Sequence, residues 1–411
     1  MFLNIRSLLL LTLIYGPNAG VEAVDAPPPE NRLEEIVVSG AFEGRKLGTA
    51  ILGTTILNKE AIQRQLDGSI GETLRRQPGI SSTFFGPGAS RPIIRGLGGD
   101  RIRILDSGLG SIDASSTSPD HATAIEPALA ERIEILRGTA MLMYGSSAAG
   151  GVVNVLDGRI PNSAPENTFD GAVRYGHTTV NDGDEIVGAF NAQLGKVGGT
   201  TVIFHGDALY RATSDYKIPG FAESQQVRDA EAAEAEASGE ALEEEAFGIA
   251  ENSETKTTGA FAGLSFLFSN GFIGMNVKLL DSSYGVPGGH EHDDHDDDDD
   301  HDDHEGTEEA PVTIELDQLR YDLRGEIKGD YGFFKKVKIR FGYADYEHLE
   351  LEGNEIGTVF SNEGWEGRLD FIHNGNDTWG GASGIQIKSR DFSAIGEEAF
   401  VPATISKQYG F

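Results

Sequence analysis

The sequence predicts a compact α+β domain followed by an antiparallel transmembrane β-barrel. Three observations point there. Short apolar strands punctuated by glycine run through residues 42–160, a two-residue alternation of apolar and polar side chains takes over in residues 161–411, and no later stretch reaches roughly 18 uncharged apolar residues.

The chain opens with MFLNIRSLLLLTLIYGPNAGVEA, in which Arg6 precedes an apolar run from Leu8 to Tyr15 and small residues precede a cut after Ala23. That is the layout of a secretory signal peptide, so residues 1–23 are expected to be removed on export. Residues 24–41 begin with a proline run that cannot fold compactly and close on the β-prone piece Ile36 to Val38. This extension is suited to adding a strand to a partner's sheet edge.

Residues 42–160 have the size of one small domain. RPIIRG, RIRILDSG, ERIEILRG and GVVNVLDG read as short apolar strands, with an amphipathic helix around Ile70 to Gln77. Gly96 to Gly99 spells GLGG but lacks the full G-x-G-x-x-G, so it reads as a structural turn rather than a nucleotide site.

Alternation begins in the next region. In TTVIFHGDALYR, Val202, Phe204, Ala208 and Tyr210 share one face while His205, Asp207 and Arg211 share the other. In VKIRFGYADY, Val337, Ile339, Phe341 and Tyr343 oppose Lys338 and Arg340. Such a pattern fits a soluble sandwich or a membrane barrel. Strands of about ten residues or more, aromatic residues near strand ends, and short turns alternating with long charged loops favour the barrel.

The formal charge of −33 is unevenly spread. Eleven acids and no base lie between Glu291 and Glu305, and nine acids against the single Arg228 lie between Glu223 and Glu245, which makes both stretches solvated inserts. They fall in the loops 222–255 and 286–311. A chain this acidic repels a nucleic-acid backbone. Cysteine is absent, which excludes disulfides, thiol catalysis and Cys-type zinc sites. The second insert also carries His290, His292, His295, His301 and His304. Imidazole with an ordinary pKa near 6.5 suits Zn²⁺, Ni²⁺ and Cu²⁺ alike, so this loop is expected to gather divalent ions weakly and reversibly. The alanine- and glutamate-rich first insert reads as a short exposed helix. His177, His205, His348 and His373, in or near strands, read as lumen lining or interface polarity rather than ligands.

Four blocks carry a family resemblance: Leu74-Arg75-Arg76-Gln77-Pro78-Gly79-Ile80; Ile93-Ile94-Arg95-Gly96; Arg101-Ile102-Arg103-Ile104-Leu105-Asp106; and Ile133-Glu134-Ile135-Leu136-Arg137-Gly138 with Tyr144-Gly145-Ser146 through Val155. In order and spacing they resemble the plug domain of TonB-dependent outer-membrane receptors. Glu35, Ile36, Val37, Val38 and Ser39 are similar to the family's TonB box, the strand that TonB pulls. The resemblance implies a plug inside a barrel of about 22 strands. Its partners would be TonB with ExbB and ExbD on the periplasmic side and the lipid of a Gram-negative outer membrane, and the chain would work as a monomer. Arg95, Arg101, Arg103 and Arg137 then either pair with acids on the barrel wall or are solvated surface.

Tyr284-Gly285-Val286-Pro287-Gly288 leading into the His/Asp run, and Ser118-Pro119-Asp120-His121, resemble the zinc-uptake (ZnuD-like) branch of these receptors. That resemblance implies metal ligands at Asp120 and His121 and, in the block Glu355-Ile356-Gly357-Thr358-Val359-Phe360, at Glu355. Zinc is then the transported ligand, with no cofactor required. No nucleophile–base pair is evident, so no enzymatic activity is expected. Uptake of a siderophore or other metal chelate is one alternative, and a non-transporting surface metal buffer or adhesin another. The alternating region supplies nine or ten strands. A barrel of eight to ten strands is filled by its own side chains, so further strands beyond Phe411 are expected.

Overall fold

The computed structural model describes residues 37–38, 45–46, 53–138, 143–239, 246–288, 311–375, 380–396, 399 and 401–411. Residues 1–23, expected as a signal peptide, Glu35, Ile36 and Ser39 of the expected TonB box, and all five histidines of the acidic loop lie outside them. Val37–Val38 (β1) pairs antiparallel with Arg45–Lys46 (β2), so the described part of the box is extended strand.

The α+β domain contains Thr55–Asn58 (β3), Lys59–Arg64 (α1), Ile70–Leu74 (α2), Ile80–Ser82 (β4), Pro92–Ile94 (β5), Ile102–Asp106 (β6), Leu109–Gly110 (β7), Arg132–Leu136 (β8) and Gly151–Leu156 (β9). Helix α1 starts where Asn58 Oδ1 accepts from Ala61 N at 2.9 Å, with Glu60 in its first turn and Arg64 in its last, both suited to the helix dipole. Helix α2 is capped from a distance, by Ser90 Oγ accepting from Glu72 N at 2.9 Å. A Cβ on Gly71 would lie 2.5 Å from that same oxygen, so the cap requires glycine there. The helix stops at Leu74, short of the Gln77 expected from the pattern. Pro78 disfavours helical backbone at the residue before it, and Gly79 then takes φ 72°.

Five strands form a sheet in the order β3-β8-β9-β6-β7, parallel only between β6 and β9. Of the apolar runs expected to be strands, three are β6, β8 and β9 of this sheet, and RPIIRG is β5, which pairs instead with β4. From those three, Ile102, Ile104, Ile133, Ile135, Val153 and Val155 pack with Ile62, Ile70 and Leu74 of the helices into one core.

The alternating region forms ten strands: Phe169–Thr178 (β10), Gly183–Val197 (β11), Thr200–Thr213 (β12), Thr255–Phe268 (β15), Gly271–Gly285 (β16), Val312–Tyr331 (β17), Phe334–Glu352 (β18), Glu355–His373 (β19), Ala382–Gly396 (β20) and Thr404–Gly410 (β21). They pair in that order, each antiparallel to the next. Tyr216–Lys217 (β13) and Ile249–Ala250 (β14) make a separate small hairpin, and between them the alanine-rich insert forms Gln225–Ser238 (α3). Among the described residues β10 and β21 do not pair with each other. No helix is long and apolar enough to cross a membrane, a test that does not bear on strands.

One face of the sheet is apolar and open, the other polar and covered. On β16, Ile273, Met275 and Leu279 are exposed while Asn276, Lys278 and Leu280 are buried. On β17, Tyr321 is exposed while Gln318, Arg320 and Asp322 are buried. An apolar outer band around a polar interior is the arrangement of a membrane barrel. Here the plug fills the interior side.

Of the four arginines expected to seal the plug, Arg103 alone pairs with a wall acid among the described residues, at 2.9 Å from Glu366. Arg137 turns inward onto Gly53 O, Thr55 Oγ1 and Pro78 O, tying plug loops together. Arg95 and Arg101 form no ion pair among the described residues. The seal runs in both directions: Arg159 of the plug also meets Asp207 of the wall at 2.9 Å, while wall cations reach plug acids. Lys278 on β16 is buried among Asp106, Asp157 (2.7 Å) and Asp322 (3.3 Å), and Arg211 on β12 reaches Glu126 at 2.8 Å.

Candidate metal centre

Residues 111–124 of the plug form an apex loop held by the wall at several points. Gln318 Nε2 donates to Ser111 O and Ile112 O, Asn362 Nδ2 to Asp113 O at 2.7 Å, and Arg390 to the same oxygen at 3.1 Å. Within the loop, the Asp113 carboxylate accepts from Ser115 N, Ser115 Oγ and Ala124 N. Ile112, a β-branched residue, sits at φ 53°, a conformation that persists only where surroundings over-determine it. Tyr284, at the end of β16, donates from its hydroxyl to Asp120 O (3.0 Å) and accepts from Ala122 N (2.8 Å). A Cβ on Gly88 would lie 2.5 Å from Tyr284, so glycine lets a second plug loop close on the same ring. The strand leading to the His/Asp-rich loop is therefore fastened directly to the segment carrying His121.

His121 is fully buried. Its Nδ1 lies 3.2 Å from Ala114 O and 3.1 Å from Thr117 Oγ1, whose own hydroxyl hydrogen goes to Ala114 O, so Nδ1 carries a proton. Nε2 then faces Glu350 Oε1 at 2.8 Å. Two lone-pair atoms cannot approach so closely without a cation between them, either a proton or a metal ion. Burial lowers the His121 pKa, but the Glu350 hydrogen bond, the charges of Asp120 and Glu350, and the Ala114 carbonyl outweigh it and hold the pKa above its ordinary value.

The third member is His348. Strand periodicity on β18 sends Ala344, Tyr346, His348 and Glu350 to the inner face, where all four are buried. His348 Nδ1 is bonded to Tyr346 Oη at 2.8 Å, while its buried Nε2 has no hydrogen-bond partner and stands 3.8 Å from Glu350 Oε1. Phe360 stacks on His348 at 4.6 Å and meets His121 edge-on at 4.8 Å, enclosing the group in apolar surface.

Ligand atoms of His121, His348 and Glu350 all lie within 4.8 Å of one another. Donors at 2.0–2.1 Å around a tetrahedral Zn²⁺ are about 3.3 Å apart, and the separations of 2.8 and 3.8 Å bracket that value. The donor set fits the ion: two imidazoles and a carboxylate, one imidazole already oriented by a backbone carbonyl in the manner of metal-bound histidines. An orphaned buried nitrogen is aimed at the same point.

Of the residues expected from the sequence, His121 enters the cluster. Asp120 lies beside it, its carboxylate taking a hydrogen bond from Ser118 Oγ, outside the three-donor set. Glu355 is exposed at the start of β19, and the carboxylate that reaches His121 is Glu350. His348, expected as wall lining, does lie on the inner wall, and there it stands beside His121 and Glu350. The spacing His348-Leu349-Glu350 puts two like-facing donor side chains on an alternating strand, and that is the sequence signal for the pair. His205 does behave as wall polarity, bonded to Asn191 and to an Asp207 that also holds Arg159.

Residues 49–152 match the family described as TonB-dependent Receptor Plug Domain. Among solved structures, the copper transporter OprC is 14% identical, with 86% of this chain and 50% of that chain covered at a TM-score of 0.58. The siderophore receptor PirA from Pseudomonas aeruginosa is 15% identical, with coverages of 87% and 51% and a TM-score of 0.53. The alcaligin receptor FauA from Bordetella pertussis is 13% identical, with coverages of 87% and 50% and a TM-score of 0.55. The chain spans about half the length of these structures. It carries a receptor plug domain followed by a large antiparallel sheet with the fold of their barrels.

Proposed function

We propose that this chain, a TonB-type plug seated against a barrel wall, serves the uptake of a bare divalent transition-metal ion, zinc foremost, across the outer membrane of a Gram-negative bacterium. The observation that carries the reading is the buried cluster of His121, His348 and Glu350 at the plug–wall boundary. Imidazole and carboxylate together accept Zn²⁺, Cu²⁺ or Ni²⁺, and zinc is favoured by the resemblance noted above. In this account the histidines at 290, 292, 295, 301 and 304 gather ions at the mouth. The ion then replaces the proton between His121 and Glu350. Release inward follows when TonB, driven by ExbB and ExbD, draws on residues 35–39 and shifts the plug.

The siderophore receptors among the similar folds support a second reading, uptake of a metal chelate. Three ligand atoms within 4.8 Å, closed over by Phe360, suit a naked ion better than a chelate. A surface metal buffer is the third possibility, and one deletion separates it from the first two. A chain lacking residues 34–39 is expected to bind Zn²⁺ as tightly as the intact chain yet to give no uptake of labelled zinc and no rescue of chelator-starved cells. Undiminished rescue by the deleted chain contradicts TonB-driven import, and uptake of ferric chelate in preference to free zinc contradicts the bare-ion reading.

A further inference from the structure

About 40 Å down β18 from Glu350, by the rise of 12 strand residues, the character of the wall reverses. Here β17 and β18 approach their short turn at Gly332, and β18 sends Lys336, Lys338 and Arg340 to the inner face in succession. Arg324 on β17 and Arg368 on β19 join them. Between this wall and the plug residues Gly108, Tyr144 and Asn154 lies a cavity of about 160 Å³ lined by Arg324, Lys338, Arg340 and Arg368, with Glu326 and Asp370 as its carboxylates.

Glu326 is taken up by lysines outside the cavity lining, and the single Asp370 is shared by two of the four lining cations. Glu326 holds Lys336 at 3.0 Å and Lys328 at 3.5 Å, and Asp370 holds Arg340 at 2.8 Å and Arg368 at 2.9 Å. Lys338 is the register partner of both Glu326 and Asp370, yet it forms no ion pair among the described residues. Arg324 is similarly under-satisfied. Its Nη2 makes a 3.4 Å bond to Ile160 O and stands 3.8 Å from an Asp157 that already serves Lys278 and Arg159, while its buried Nε has no hydrogen-bond partner. A partly buried group of four cations against two committed carboxylates is unfavourable unless an anion completes it. In a chain of net charge −33 its location is not explained by overall composition.

We infer that this cavity is a binding site for a small doubly charged oxyanion of the phosphate or sulfate class, bridging plug and wall near the short-turn end. Guanidinium forks present paired donors that match tetrahedral oxygens, and the free ammonium of Lys338 adds a point charge. The volume accommodates one such ion with water. Chloride offers no oxygen atoms to share among several N–H groups and is the natural negative control.

The test is calorimetric titration of the full chain in neutral detergent with inorganic phosphate and with sulfate, in chloride buffers matched for ionic strength. One saturable site is expected. Lys338→Met should weaken it by at least about ten-fold, the loss of one charge-assisted bond, whereas Lys256→Met, a charge removed from the exposed face, leaves it unchanged. Circular dichroism confirms that both variants are folded. Absence of saturable binding, binding abolished equally by matched chloride, or equal affinity in Lys338→Met and the intact chain would overturn the assignment.

Discussion

Replacing Glu350 by glutamine should weaken tight binding of Zn²⁺ by more than about 100-fold, because loss of an outer partner of a metal ligand already costs about 10–100-fold and Glu350 supplies the carboxylate itself. Glutamine keeps the side-chain length and can still bond to His121, so folding is little disturbed while the negative charge is gone. The same substitution at Glu355, exposed and outside the cluster, is expected to leave the affinity unchanged. Calorimetry on both variants decides the placement. A large loss at 355 with none at 350 would show that the metal lies elsewhere.

Lys278→Met is expected to destabilise the seating of the plug by about 3–5 kcal/mol, the usual consequence of removing one partner from a buried ion network. Lys278 is 4% exposed, and the side chains around it, Asp106, Asp157 and Asp322, would be left facing one another without their shared cation. Burial alone pushes the Asp157 carboxyl up, yet Lys278, Arg159 and Arg324 outweigh it and hold the pKa well below the ordinary carboxylate range. That dependence on neighbouring cations explains why the lysine matters. Denaturant titration, or protease cleavage of the plug within the assembled barrel, reads the effect. Arg103→Met is the comparison: Glu366 keeps bonds from Gly110 N and Gln386 after Arg103 is gone, so a smaller change is expected. Equal effects at the two sites would argue against Lys278 as the principal tie.

These two residues also mark where the sequence was legible and where it was not. The strands around Ile102–Asp106, Arg132–Leu136 and Gly151–Leu156 could be read because apolar runs bounded by glycine have few alternatives, and the faces of β12 and β18 because alternation alone fixes them. Pairing across the plug–wall boundary was not legible. It depends on which plug loop meets which strand, a long-range matter on which local pattern is silent. Hence only Arg103 of the four plug arginines pairs with a wall acid among the described residues, while Lys278 ties from the other side with no mark in its local pattern. The candidate metal cluster was half visible for the same reason. His121 stood out beside Asp120, but choosing between Glu350 and Glu355 needs the register of β18 against the apex loop. His348 looked like one polar wall residue among several until its free nitrogen was seen to point at Glu350.

The most direct measurement is zinc K-edge X-ray absorption on the full chain, loaded with one equivalent of Zn²⁺ after removal of residues 289–310, so that loop histidines cannot contribute. Nitrogen and oxygen neighbours at about 2.0–2.1 Å are expected, with the longer-range scattering of two imidazoles falling to one in His348→Ala. A shell of oxygen alone, or a spectrum identical in His348→Ala, would contradict that expectation.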